Sequence, residues 1–175
     1  MPETDHPAHR RVREAARRKG VEIEILTFPE STHTAQDAAR AVGAELGQIV
    51  KSLVFAAPGD EGSLEPVVAL VSGANRVDIG LLAACVSEPR LRRASAREAD
   101  AMTGFVIGGI PPIGYERPIR VVMDPDLGRF PVVWAAAGTP TAVFAVPPAT
   151  LRMLADATVV PIAEPAPESA AAPER

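Results

Sequence analysis

The sequence has a single cysteine, Cys85, among its 175 residues, so no disulfide can form within the chain, as suits a reducing cytoplasm. Cys85 lies in the apolar run Leu81, Leu82, Ala83, Ala84, Cys85, Val86, with no histidine or cation beside it to make a thiolate. That context predicts a thiol buried in packing. Aromatic residues are scarce, at 4%, so the core has to be filled by Val, Leu, Ile and Ala. There is no basic excess either: 18 Lys and Arg face 22 Asp and Glu, for a net charge of −4. A protein that grips long stretches of DNA or RNA backbone carries the opposite sign, so any RNA contact has to be local. Two clusters could supply it, or be plain solvated helix faces: Arg10, Arg11, Arg13, Arg17, Arg18 and Lys19, then Arg90, Arg92, Arg93 and Arg97. No run approaches the ~20 apolar residues of a membrane span, and the N-terminus lacks an apolar segment followed by a cleavage site. The expectation is a soluble cytoplasmic protein with no membrane partner.

What is present is enough hydrophobic residue, 47%, to build the core of one domain and to exclude global disorder. Residues 6–19 predict a first helix stopped by Gly20, and alternation at Val21, Ile23 and Ile25 predicts a half-buried strand. A helix over 35–43 is closed by Gly43. Two apolar strands, 49–55 and 67–71, flank the turn at 58–62 and read as a hairpin. Asp78 and Ser95 are N-caps of helices reaching Cys85 and Gly104. Strands follow at 119–123, 132–136 and 142–146, then a helix at 148–155 and a last strand at 159–162. From 165 the composition of Ala, Pro and Glu predicts a disordered tail, leaving one domain over 1–164. Intermixed elements without βαβ alternation predict a mixed α/β domain with a largely antiparallel, barrel-like sheet and surrounding helices.

Phosphate loops, dinucleotide fingerprints and nucleophile elbows are missing. Of three histidines, His6 and His9 fall at a frayed chain end and His33 stands alone, so neither a triad nor a metal site is expected. Three segments carry more. Lys51 sits within a strand apolar on both faces, where a lysine either snorkels to an edge or lines a pocket that takes an anion. Residues 108–114 hold Gly108, Gly109, Gly114, Pro111 and Pro112, a loop both permissive and stiff. Its Gly109 and Ile110 amides are candidate oxyanion donors; the bland alternative is an elaborate turn. Residues 134–141 run from a strand into a tight turn of small residues, Ala137 and Gly138 among them.

Together, in this order, these segments resemble the YbaK/EbsC family, also called the prolyl-tRNA-synthetase-associated editing domain. The resemblance runs from about Pro7 to Ala163. It is carried by Thr32-His33-Thr34, by the Lys51 strand, by residues 71–78, by the Gly-x-x-x-Pro loop at 108–112 and by Ala136-Ala137-Gly138-Thr139. It implies a mixed sheet in a partial barrel and hydrolysis of the ester joining a wrong amino acid to tRNA, often tRNA(Pro) charged with Ala, Cys, Ser or Thr. Lys51, Gly108, Gly109 and Ile110 would form the catalytic set, with no metal and no cofactor. Phe28, Thr34, Ser52, Ser72, Asn75, Pro111, Pro112, Gly114, Ala137 and Gly138 would bind substrate. The 3′ end of a mischarged tRNA is the implied partner and prolyl-tRNA synthetase a candidate one. The cysteine-clearing branch carries a tyrosine near Phe28 and an acidic residue near Val143; this sequence has neither. The alternative reading is a non-catalytic tRNA- or amino-acid-binding module on the same fold.

Overall fold

Short helices and strands, intermixed along the chain, are organised around one long hairpin. The computed structural model describes residues 6–29 and 34–165. The strands are β1 (Ile25–Thr27), β2 (Ile49–Pro58), β3 (Leu64–Ser72), β4 (Asn75–Val77), β5 (Arg92–Arg93), β6 (Arg120–Met123), β7 (Val133–Ala136), β8 (Ala142–Val146), β9 (Thr158–Val159) and β10 (Ala163–Pro165). The helices are α1 (Pro7–Arg18), α2 (Ala35–Val42), α3 (Ile79–Val86), α4 (Ala96–Thr103) and α5 (Pro148–Ala155). The main sheet runs β1-β8-β7-β2-β3-β6-β9, with β5 added to β2, and is an open path; β4 and β10 pair separately. Five ladders are antiparallel and three, β2 with β7, β3 with β6 and β6 with β9, are parallel.

The β2–β3 hairpin is apolar on both sides because both sides are covered. Val50, Val54, Ala56, Val68 and Leu70 pack with Val12 and Ala16 of α1, Ala99 of α4 and Leu151 of α5. The alternate residues Phe55, Ala57, Val67, Ala69 and Val71 pack with Leu82 and Val86 of α3. This two-faced burial explains the near-continuous hydrophobic runs. Helix ends follow the predicted caps: Thr34, Asp78 and Ser95 each accept an N–H of the first turn, and Gly43 and Gly104 take left-handed φ at the far ends of α2 and α4.

Four expectations change. The strand read at Val21 starts only at Ile25, because the Val21 N–H is used to close α1 on the Ala16 carbonyl, 3.0 Å away. The strand read over 159–162 is two strands, broken where Pro161 has no N–H to give. Cys85 is exposed rather than buried, since α3 turns Leu82 and Val86 inward. His6 and His9 belong to an ordered helix: His6 caps α1 and His9 is 3% exposed. The Thr32 and His33 motif and most of the expected tail lie outside the described residues. No helix among those described is long and apolar enough to cross a membrane.

Candidate active site

Lys51 lies where the main sheet parts. One edge of β2 pairs with β3 along its length. The other edge pairs with β7 only at Ile49 and Val50 and with β5 only at Phe55 and Ala56. Residues 51–53 therefore face a gap between β7 and β5 with no strand partner on that side among the described residues. The Val54 carbonyl points to this side, where it accepts the Ala94 N–H at 3.0 Å. By strand alternation the backbone polar groups of Ser52 point the same way, into the gap.

A pocket of about 250 Å³ occupies the gap, lined along β2 by residues of both faces, Lys51 and Ser52 among them. Ala38 and Val42 of α2, Trp134, Ala135, Ala142 and Val143 supply an apolar lining, and Ile107, Gly108 and Ile110 of the glycine loop line it too. Half-buried Lys51 donates its Nζ hydrogen bond to the Asn75 carbonyl. Burial pushes its pKa below the ordinary lysine value, the Arg93 charge pushes the same way, and Asp124 opposes both. The Ser52 Oγ is buried and has no hydrogen-bond partner among the described residues.

Of the residues named from sequence, Lys51, Ser52, Thr34, Gly108 and Ile110 meet in this pocket. The Thr34 hydroxyl is engaged as the cap of α2. The Gly109 N–H is not available as a donor to substrate, because it closes a turn on the Val106 carbonyl at 3.0 Å. The Gly108 and Ile110 amides donate to no backbone carbonyl among the described residues. Gly109 is glycine for another reason: a Cβ there would stand 2.5 Å from the backbone of Thr139, so the loop and the 138–140 turn are in direct backbone contact. Gly138, at φ +109°, presses on Ala8 of α1 and with Phe28 lines a second cleft, beside His6, His9 and Thr139. Ala137 is fully buried. Pro111 and Pro112 are buried, the Pro111 carbonyl accepting the Tyr115 hydroxyl at 2.6 Å, and Gly114 takes φ +95° against Arg11.

Ser72 and Asn75 stand in a buried polar cluster instead. The Asp124 carboxylate accepts the Ser72 N–H at 3.1 Å, the Asn75 Nδ2 at 2.8 Å and the Asp126 N–H at 2.9 Å. The Ser72 Oγ donates to the Gly47 carbonyl at 2.8 Å. These groups hold the chain that holds Lys51.

Sequence reasoning passed over Arg93, Trp134 and Ala38 as lining residues, since strand pairing and helix docking bring them in. It also set aside His9, whose Nε2 lies 2.8 Å from the Thr139 Oγ1 behind the glycine loop. No signal in the sequence marks that pairing.

The family described as the aminoacyl-tRNA editing domain matches residues 29–154. The chain is 29% identical over 119 residues to the multifunctional Ser/Thr-tRNA deacylase ProXp-y of Escherichia coli K12, covering 68% of this chain and 70% of that protein. It is 32% identical over 95 residues to a proline–tRNA ligase of Limosilactobacillus fermentum, covering 54% of this chain and 17% of the ligase. A solved structure whose proposed role is trans-editing for prolyl-tRNA synthetase superposes with a TM-score of 0.82 at 45% identity, covering 91% of this chain and 98% of that one. The family model spans well over half of the chain and the superposition nine-tenths of it, and the protein belongs to the aminoacyl-tRNA editing domain family.

Proposed function

We propose that the protein is a trans-acting aminoacyl-tRNA deacylase that hydrolyses the ester of mischarged tRNA, tRNA(Pro) carrying a small wrong amino acid such as Ala, Ser, Thr or Cys. The observation that carries the reading is the gap pocket: one lysine, an orphan hydroxyl and two available loop amides around a small apolar chamber. At about 250 Å³ it is below the roughly 300–1,000 Å³ of drug-sized sites, which suits a small side chain. The alanines of its lining and a neutral Val143 favour small uncharged amino acids. Prolyl-tRNA synthetase, whose product would be corrected, is the natural partner, and the cytoplasm is the place of action.

The chemistry asks little of the protein, because an aminoacyl ester is already activated. Ser52 is not used as a nucleophile: among the described residues no His, Asp or Glu lines the pocket to take its proton, and Lys51, its Nζ donating to the Asn75 carbonyl, serves as the cation. Lys51 anchors the acceptor end, the Gly108 and Ile110 amides face the ester carbonyl as it gains charge, and water attacks. The terminal ribose hydroxyl orders that water. The test is release of amino acid from tRNA(Pro) charged in turn with Ala, Ser, Thr and Cys, with Lys51→Ala alongside. Release from at least one substrate, largely lost in the variant, is expected. No release from any of the four leaves only a binding module.

A further inference from the structure

Arg92 and Arg93 are neighbours on β5 in opposite circumstances. The Arg92 guanidinium is matched by both oxygens of Glu98, each at 2.9 Å. Strand alternation turns Arg93 the other way. It pairs with Phe55 across the ladder, lays its guanidinium 5.7 Å from that ring's centroid, and lines the gap pocket. Among the described residues no carboxylate comes within ion-pair distance of Arg93 or of Lys51. Among the described residues no Asp or Glu lines the pocket. A chain of net charge −4 thus brings two cations to one small chamber, neither of them in an ion pair among the described residues. Lys51 registers its neighbour, since the Arg93 charge adds to burial in disfavouring the ammonium.

The substrate proposed above carries an α-ammonium beside its ester and a phosphodiester one ribose away. Two cations without a carboxylate repel the first and attract the second. We infer that Arg93 is a phosphate-binding residue of this site: its guanidinium takes the phosphodiester on the 5′ side of the terminal adenosine, with Lys51 as the second cation. The inference rests on the deacylase reading and adds an orientation to it, with the phosphate toward β5 and the amino acid toward the alanines of α2, β7 and β8. The planar guanidinium fork fits two phosphate oxygens, whereas an ammonium offers a point charge.

Two amide analogues test it, 3′-alanylamido-3′-deoxyadenosine with and without a 5′-methyl phosphodiester. The native protein should bind the phosphodiester form at least about tenfold more tightly, the scale of one hydrogen bond to a charged group. Arg93→Gln should bind both alike, and Arg93→Lys should keep part of the preference. With an RNA stem ending in CCA, the slope of log K against log salt should fall by about 0.7 in Arg93→Gln, as for one phosphate contact on a single strand. Equal affinity of the native protein for the two analogues, no binding of either, or a preference that survives Arg93→Gln overturns the inference. So does a lowered melting temperature with the preference intact, which would leave Arg93 as a cover for Phe55. Failure of the deacylase reading is seen separately, as absence of amino-acid release by the native protein.

Discussion

The gap pocket and the Asp124 cluster both withdraw polar groups from water, and they are finished differently. In the cluster, Asp124, Asn75 and Ser72 meet donors with acceptors inside the protein. In the gap, the buried Ser52 hydroxyl has no partner among the described residues, and neither half-buried Lys51 nor exposed Arg93 is in an ion pair there. Buried polar groups are nearly always satisfied, so a satisfied set reads as scaffold and a buried hydroxyl left open beside a pocket reads as room for a further partner. Lys51 joins the two regions: its Nζ is held by the Asn75 carbonyl, and Asp124 supports its charge.

The largest effect is expected on the scaffold side. Asp124→Ala leaves three donors without their acceptor, at about 1–3 kcal/mol for each that stays buried. A loss of about 3–5 kcal/mol in denaturant unfolding is expected, and a change below about 1 kcal/mol would remove the cluster's claim to be scaffold. Gly109→Ala comes next, and it acts on the wall facing the gap. Its Cβ forces the loop away from Thr139, shifting the Gly108 and Ile110 amides. Displacing such donors costs about 10²-fold in turnover. Single-turnover deacylation should fall by that much with acceptor-end binding kept; an unchanged rate would mean that the amides play no part.

Lys51→Met separates function from stability. Activity should fall about ten- to hundredfold, the scale of a hydrogen bond to a charged group, while the melting temperature does not drop. The sign follows from the lowered pKa. Between that pKa and the ordinary value of 10.5, the unfolded chain binds the proton that the folded chain has released. Native stability therefore rises with pH through that window, and Lys51→Met should flatten the rise. Ser52→Ala is the smallest effect and has the opposite direction to Asp124→Ala. Removing a buried hydroxyl with no partner should raise stability by about 1 kcal/mol. A loss of stability would show that the hydroxyl is already satisfied, and would erase the contrast between the two regions.

Most elements were legible because their signals are local. The caps Thr34, Asp78 and Ser95, the glycine stops and the hairpin around 58–62 each lie within a few residues of what they control. The site was half legible. Lys51 announced itself as a cation in an apolar strand, and the glycine loop by composition. What could not be read was the gap, because it exists only where β7 stops and β5 starts along β2, two pairings that join distant parts of the chain. For the same reason Arg93 looked like one arginine among four, and Ser72 and Asn75 looked like ligands for substrate rather than for Asp124. Cys85 misled because its neighbours are apolar all round, and only the docking of α3 decides which of them turns inward.

The way the gap is walled also sets when it comes into being. The β2–β3 hairpin joins neighbouring segments and closes a short loop, whereas β7 must reach β2 from the far end of the sequence, Trp134 against Ile49. Pairings between distant segments form late in folding because their loop entropy is met only once other contacts exist. A chain emerging from the ribosome therefore displays Lys51 on its first hairpin long before there is a chamber around it. The chamber is complete only once β7 has paired with β2.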